Sequence, residues 1–428
     1  MRVLVVGSGG REAALVWALH TSPSIDRLCC APGSAGIARL AERVPISVDD
    51  IDGLVDHAVA ERYDLVVVGP EAPLCAGLSD RLRSHGIDVF GPSAAAAELE
   101  GSKAFSKEFM ARHDIPTAGF KVFTEADAAL AYLRDPGTRY PLVVKADGLA
   151  AGKGVILADT ADEACAAAAD MLDGGAFGDA GRRVVIEDRL VGREVSFFVL
   201  SDGSRYVELA TCQDYKRALD GDAGNNTGGM GCYSPSVYLD AETRRTIREK
   251  VIEPTIRGMA EEGRAYRGVL YTGLMLTEQG PQVLEYNARF GDPETQVLMP
   301  RLDGDWLPLL QACARGSLEG VEPRWKDEAA VCVVMAAGGY PGSYEKGTAI
   351  AGLNDAEGQP GVIVYHAGTD GGDEEGWKTA GGRVLGVTAT GATLADARDR
   401  AYAAVERIRW DAEHHRTDIA LDAIKRDA

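Results

Sequence analysis

The sequence predicts a multidomain protein of mixed α/β and α+β class. Its parts are an N-terminal doubly wound parallel sheet, a central two-part region and a small C-terminal α+β domain. Three observations carry this. Short apolar strands alternate with helices through the first hundred residues, the pattern of a parallel sheet. A glycine-rich stretch, KADGLAAGKGV (145–155), sits between the apolar runs PLVV and VIL. From about residue 328, strands are followed by one amphipathic helix. A chain of 428 residues has room for two to four domains.

In chain order, RVLVV (2–6) reads as a buried strand and GREAALVWALH (10–20) as an amphipathic helix. DLVVV (64–68), LCAGLSDRLRSHG (74–86) and IDVFG (87–91) continue as strand, helix and strand. Ligands of such sheets bind beyond the C-terminal strand ends, here the turns GSGGRE (7–12), GPEAPL (69–74) and GPS (91–93). Residues 94–113 read as helical, interrupted near Gly101. A module from about 120 to 190 holds KVF, the helix 124–135, PLVVK, the glycine loop, VILA, the helix 160–172 and the strand RVVIEDRL (183–190). Then come a polar loop (213–231), a long helix (240–263) disturbed by Pro254, and a hairpin over 271–296 that ends in a polar turn. The expected domains are 1–103, 104–327 with a mobile lid at about 120–190, and 328–428.

Bulk composition excludes several classes. The net charge of −20 argues against a general nucleic-acid surface. No apolar run approaches the roughly 18 residues of a membrane span, and the opening strand and glycine turn do not resemble a signal peptide. The eight cysteines show no zinc spacing and read as small buried hydrophobes of a reducing compartment. A cytoplasmic protein is expected, as a monomer or a weak dimer.

The glycine loop is not a P-loop. Three residues separate Gly148 from Gly152, and Lys153 is followed by Gly154 rather than by a hydroxyl residue. Taken alone it reads as a hairpin with exposed lysines. GSGGRE carries Gly7 and Gly9 of a dinucleotide fingerprint, but Glu12 stands at the third glycine; a lone phosphate at that helix start is an equal alternative. The loop at Asp220, Asp222 and Asn226 fails as a calcium site, because Asn225 and Gly231 occupy the glycine and glutamate positions.

VLEYNARFGDPE (283–294) is the most informative segment. Period-two alternation places Glu285, Asn287 and Arg289 on one face, where a carboxylate and an amide oxygen suit a hard cation. Alone, EYNAR reads as a solvated edge strand. Together with the two-lysine loop, Glu187 and Glu194, it suits one nucleoside triphosphate: lysines on the phosphates, Glu194 on the ribose and Glu285 with Asn287 on the metal.

The ordered set GSGGRE, GPEAPL, EGSKAFSK, KADGLAAGKGV, QDYKR, NTGGMG, EYNARFGDPETQ, AAGGYPG, YHAGT and GGRVL resembles the phosphoribosylamine–glycine ligase family of the ATP-grasp superfamily, over nearly the whole chain. The resemblance implies a central ATP-grasp pair and a ligation driven by ATP with Mg²⁺ or Mn²⁺. Glycine would become glycyl phosphate and then be captured by 5-phosphoribosylamine. It implies Lys103 and Lys145 on the ATP phosphates under a flap containing Gly152, Lys153 and Gly154. It further implies Glu187 and Leu190 at adenine, Glu194 at ribose, and Glu285 and Asn287 at the metal. Asp214, Lys216, Arg289 and Asp292 would surround glycine and the acyl phosphate, and Gly9, Gly10 and Glu71 the phosphoribosylamine. The chain departs from the family pattern at Ser8, Ala13, Tyr215, Asn225 and Ala420. A sister ligase for another carboxylate, a nicotinamide oxidoreductase and a silent nucleotide sensor are the competing readings.

Overall fold

Five parallel strands form the first sheet, in the spatial order Glu42–Arg43, Arg27–Pro32, Arg2–Gly7, Leu65–Val68 and Asp88–Phe90. The computed structural model describes residues 1–149, 154–173 and 181–427. The order reverses direction at the central strand Arg2–Gly7, so the crevice of this doubly wound sheet opens between the turns after Gly7 and after Val68. Arg2–Gly7 and Leu65–Val68 are apolar and almost wholly buried, as strands covered by helices on both faces must be. The helix Gly10–His20 follows its strand as expected. The expected helix 74–86 is instead two pieces, Glu71–Cys75 and Leu78–Ser84. Gly77 breaks it by adopting φ +84, a left-handed conformation that glycine takes without steric cost.

The central antiparallel sheet runs Tyr206–Glu208, Arg193–Asp202, Arg267–Thr277, Gly280–Asn287. Alternate side chains of its long strand feed two cores: Phe198 and Leu200 pack with the helix Trp306–Arg315, while Phe197 and Val199 pack with residues of 247–259. The long helix over 240–263 carries the expected disturbance. It passes through a π-helical segment at Arg248–Ile252 and resumes as Glu253–Glu261. Pro254 lacks an N–H to donate to a preceding turn, and the wider turn accommodates it.

The module over 120–188 forms a separate antiparallel sheet, ordered Phe120–Phe123, Val184–Asp188, Leu142–Ala146, Val155–Ala158. Its apolar cluster is its own, built from residues such as Leu133, Val144, Ala168 and Ile186.

The last sheet is ordered Gln213–Asp214, Gly231–Ser234, Ala329–Ala336, Arg383–Gly391, Val362–His366. The helix Leu394–Val405 packs on it. One of its strands, Gln213–Asp214, and the first residue of another, Gly231, come from the segment expected to be a polar loop. The rest of that segment forms the small hairpin Arg217–Leu219 with Ala223–Asn226. No helix among the described residues is long and apolar enough to cross a membrane.

Candidate active site

The helix Lys103–Arg112 begins with Ser102 as its N-cap, whose hydroxyl accepts from Phe105 N. The carboxylate of Asp147, at the entry to the glycine loop, accepts from Ser102 Oγ (3.1 Å) and from Ala104 N (3.0 Å), and pairs with Arg183 at 2.6 Å. Lys103 Nζ donates to Gly148 O at 2.8 Å. The helix start and the loop entry are thus tied by one carboxylate and one lysine. Gly154 closes the far side, its carbonyl accepting from Ala146 N. Gly152 and Lys153 lie outside the described residues.

Glu187 lies on the neighbouring strand, 2% exposed. Its Oε2 meets Lys145 Nζ and Lys107 Nζ, each at 3.0 Å, while its Oε1 is buried without a partner. Lys107 sits one turn beyond Lys103 on the same helix face. Burial pushes its ammonium down to about 8, against the pull of Glu187. Leu190 is half-buried just past the end of this strand.

The strand Gly280–Asn287 carries a bulge: Glu285 pairs with Gly273 and Val283 with Leu274, so Leu284 is the extra residue. The bulge resets the alternation. Val283 and Tyr286 both enter the core, and Glu285 and Asn287 share the other face. Glu285 opens to solvent. Desolvation by the surrounding protein opposes its charge, but Lys216, Lys145, Lys103 and Arg289 together hold its carboxyl below the usual range. Four cations from four segments therefore converge on one acid. Asn287 beside it is 7% exposed. A carboxylate and an amide oxygen are hard donors of the kind Mg²⁺ accepts, with phosphates and water completing the shell. No cluster of three or more His, Cys, Asp or Glu able to hold a metal occurs among the described residues.

Arg289 lies beyond the end of that strand, so pairing rather than pleat sets its position. Its Nε donates to Glu71 at 3.1 Å and its Nη2 meets Glu100 at 2.9 Å. Glu100 also accepts from Ala288 N at 2.6 Å. Burial pushes its carboxyl up to about 7, with Arg289 pulling the other way. The turn that follows is packed rather than solvated: Phe290, Glu294 and Gln296 are each about 2–3% exposed. Asp292 accepts from Gln296 Nε2 (2.7 Å) and Arg11 N (3.3 Å) and pairs with Arg383 (3.2 Å). Burial raises its carboxyl, but Arg383 and Arg11 outweigh it and hold it low.

Lys216 pairs with Asp214 at 2.7 Å and Glu194 at 3.3 Å, and donates to Tyr271 Oη at 3.3 Å. Ser196 Oγ bridges Asp214 and Tyr271 at 3.3 and 3.0 Å. Burial raises the Glu194 carboxyl despite Lys216, and burial together with Asp214 raises that of Glu294.

The sheet crevice completes the cleft. Gly9 N donates to Glu12 Oε2 at 2.7 Å, and Arg11 Nε pairs with Glu12 Oε1 at 2.6 Å. A Cβ on Gly7 or Gly69 would strike the Glu12 side chain at 2.4 or 2.1 Å. Glu12 thus fills the space beneath both turns that a third glycine would leave empty. Gly9 and Gly10 lie against Asp292, and Gly10 also against Gln296. Glu71 heads its short helix. Contacts thus tie Lys145 to Glu187, Lys216 to Glu194 and Asp214, Arg289 to Glu71, and Asp292 to Gly9 and Gly10. Reading by motif missed Lys107, Glu100, Asp147, Glu294, Arg11 and Arg383. Of these only Lys107 had a plain signal, its four-residue spacing from Lys103.

Three family models cover most of the chain. They are the phosphoribosylglycinamide synthetase N domain (residues 1–100), ATP-grasp (A) domain (101–295) and C domain (330–422). The chain is 53% identical over 429 residues to the phosphoribosylamine–glycine ligase of Rhizobium meliloti, covering all of both chains. It is 52% identical over 430 residues to that of Escherichia coli K12, again over the full length of both. The crystal structure of phosphoribosylamine–glycine ligase from Thermotoga maritima superposes with a TM-score of 0.85 at 34% identity, covering 98% of this chain and 100% of that one. With the cleft and these relatives in agreement, the chain belongs to the phosphoribosylglycinamide synthetase (phosphoribosylamine–glycine ligase) family of ATP-grasp ligases in purine biosynthesis.

Proposed function

We propose that this chain joins glycine to 5-phosphoribosylamine at the expense of ATP, through glycyl phosphate. The observation that carries the reading is the set of cations beside Glu285: Lys145 Nζ reaches Leu284 O at 3.5 Å, and with Lys216, Lys103 and Arg289 it holds the Glu285 carboxyl low. Such a field favours a polyanion with a divalent cation at the carboxylate. In the first step a glycine carboxylate oxygen attacks the γ-phosphorus and ADP leaves. In the second the amine nitrogen attacks the acyl carbon, phosphate leaves with the bonding pair, and the nitrogen gives up a proton. No covalent enzyme intermediate is needed, so positioning and charge neutralisation supply the catalysis.

Lys103 and Lys145 hold the triphosphate beside Gly154; the expected contacts of Gly152 and Lys153 fall outside the described residues. Glu187 and the backbone at Leu190 take the adenine and Glu194 the ribose. Glu285 and Asn287 would hold Mg²⁺ or Mn²⁺, which would supply neutralisation of the phosphate charge. Glycine is a zwitterion, and the adjacent Lys216 and Asp214 offer one charge to each of its ends. Arg289 and Asp292 lie where the activated acyl group meets the amine held by Gly9, Gly10 and Glu71. Asp214 or Asp292 takes the amine proton.

The test is ADP release from Mg²⁺-ATP with glycine or 5-phosphoribosylamine omitted in turn. Turnover that requires both is expected. Turnover indifferent to glycine but responsive to another carboxylic acid would overturn the substrate assignment and leave the ATP chemistry standing.

A further inference from the structure

The C-terminal tail reaches back to the segment that carries Asp214 and Lys216. Tyr215 stands between them, and alternation turns its ring the other way, into the C-terminal core where it is 7% exposed. Its hydroxyl donates to Asp422 Oδ1 at 2.5 Å and accepts from Ala420 N at 2.9 Å. The guanidinium of Arg416 covers its ring at 4.8 Å. The other oxygen of Asp422 accepts from Arg193 Nη1 at 3.1 Å and from the Tyr238 hydroxyl at 2.9 Å. Arg193 directly precedes Glu194, and Glu194 pairs with Lys216 at 3.3 Å.

One carboxylate, outside the cleft, therefore grips the sequence neighbours of Glu194, Asp214 and Lys216. Tyr215 and Ala420 are both departures from the family pattern. Ala420 also holds φ +65, a conformation a side chain resists unless its surroundings impose it. The Tyr215 hydroxyl, bonded to the Ala420 N–H, is part of what imposes it.

We propose that Asp422 is a positioning residue for the glycine-binding pair Asp214 and Lys216, acting through Tyr215 and Arg193. This rests on the reading of that pair as glycine contacts. Breaking the hydroxyl–carboxylate link frees the strand Gln213–Asp214 to tilt, which misplaces both charges together. Small misplacements of binding groups are costly because orientation is most of what they supply.

The experiment is steady-state kinetics on the full chain for Tyr215→Phe, Asp422→Asn and the double variant, with Tyr238→Phe and Lys216→Met alongside. Tyr215→Phe and Asp422→Asn are each expected to raise the glycine KM about tenfold, the worth of one charge-assisted hydrogen bond. The ATP KM should stay within about twofold. The double variant should be no worse than Asp422→Asn alone, because that variant already breaks the Tyr215 link together with the Arg193 one. Tyr238→Phe removes a different bond to Asp422 and should leave the glycine KM unmoved. A normal glycine KM in Tyr215→Phe and Asp422→Asn, with a raised one in Lys216→Met, overturns the proposal and spares the site. A normal glycine KM in Lys216→Met as well overturns the reading of the site itself. If Asp422→Asn does not fold, Tyr215→Phe decides alone. An equal change in every constant there marks a merely structural role and also overturns the proposal.

Discussion

At the scale of single residues, Lys145 and Glu285 are the sharpest points of the proposal. Lys145→Ala leaves Glu187 still paired with Lys107, so the fold should survive. Removal of a charge aimed at the transferring phosphoryl group should lower kcat by about 100-fold or more. Rate and thermal melting measured on one preparation check both halves of that statement, and Glu285→Ala should behave likewise. Glu100 offers a test by pH. Unfolded, its carboxyl ionises near the ordinary 4.5; folded, burial raises it to about 7. Between these values the native state keeps a proton that the unfolded state has lost. The stability this group contributes is therefore full below about pH 4.5 and lost as pH rises through 7. Glu100→Gln should flatten the melting temperature profile between pH 5 and 7, removing a slope worth at most about 3 kcal/mol. Lys145 and Glu285 were legible in the sequence, but the pairing of Glu100 was not. Glu100 opens the motif EGSKAFSK without being singled out there, and only the fold shows that it faces Arg289. Arg289 itself was placed by strand alternation, but the strand ends at Asn287, so its pairs with Glu71 and Glu100 fix its position instead.

At the scale of elements, the glycine loop was read as a flap over ATP, and its described entry has a latch. Asp147 ties that entry to the first turn of the helix Lys103–Arg112 through Ser102 Oγ and Ala104 N. Asp147→Ala should raise the ATP KM about three- to tenfold, the loss of one or two such bonds. The glycine KM should not change, and initial rates with each substrate varied in turn decide it. Elements whose signal is local were legible. Helix Gly10–His20, strand Arg2–Gly7 and the strands and helices of the 120–188 module all declare themselves by periodicity. The break at Gly77 was hidden, because a glycine is tolerated inside a helical pattern as well as at its end. Strands Gln213–Asp214 and Gly231–Ser234 were hidden for another reason. They are too short for a periodic signal, and the strand that joins them to the rest of the sheet, Ala329–Ala336, lies far along the chain.

At the scale of the whole molecule, the N-terminal and C-terminal parts are clasped outside the cleft. Arg39 holds Glu357 with two hydrogen bonds of 2.6 and 2.9 Å, and His366 approaches Glu357 at 3.6 Å. Burial opposes the Glu357 charge, but His366 and Arg39 prevail and draw its carboxyl down to about 2. A lowered carboxyl stabilises the fold above its unfolded value near 4.5, and the benefit fades as pH falls toward 2. Glu357→Gln should cost about 1–2 kcal/mol at neutral pH, after allowance for solvent at this partly open site. Its melting temperature should converge on that of the parent protein as the pH is lowered through that window. The fold class was legible at this scale because three kinds of periodicity follow one another along the chain. The clasp was not, since Arg39 and Glu357 meet only once the domains have packed.

The last sheet has a consequence for the order in which the protein is made. Strand Gly231–Ser234 pairs on one edge with Gln213–Asp214 and on the other with Ala329–Ala336, so a ribosome releases the middle of the chain well before that second edge can be covered. Until then one edge of that strand is open to any neighbouring chain. The C-terminal domain supplies the strand that closes it. A cut at residue 328 would separate two stretches of sequence without separating two folding units.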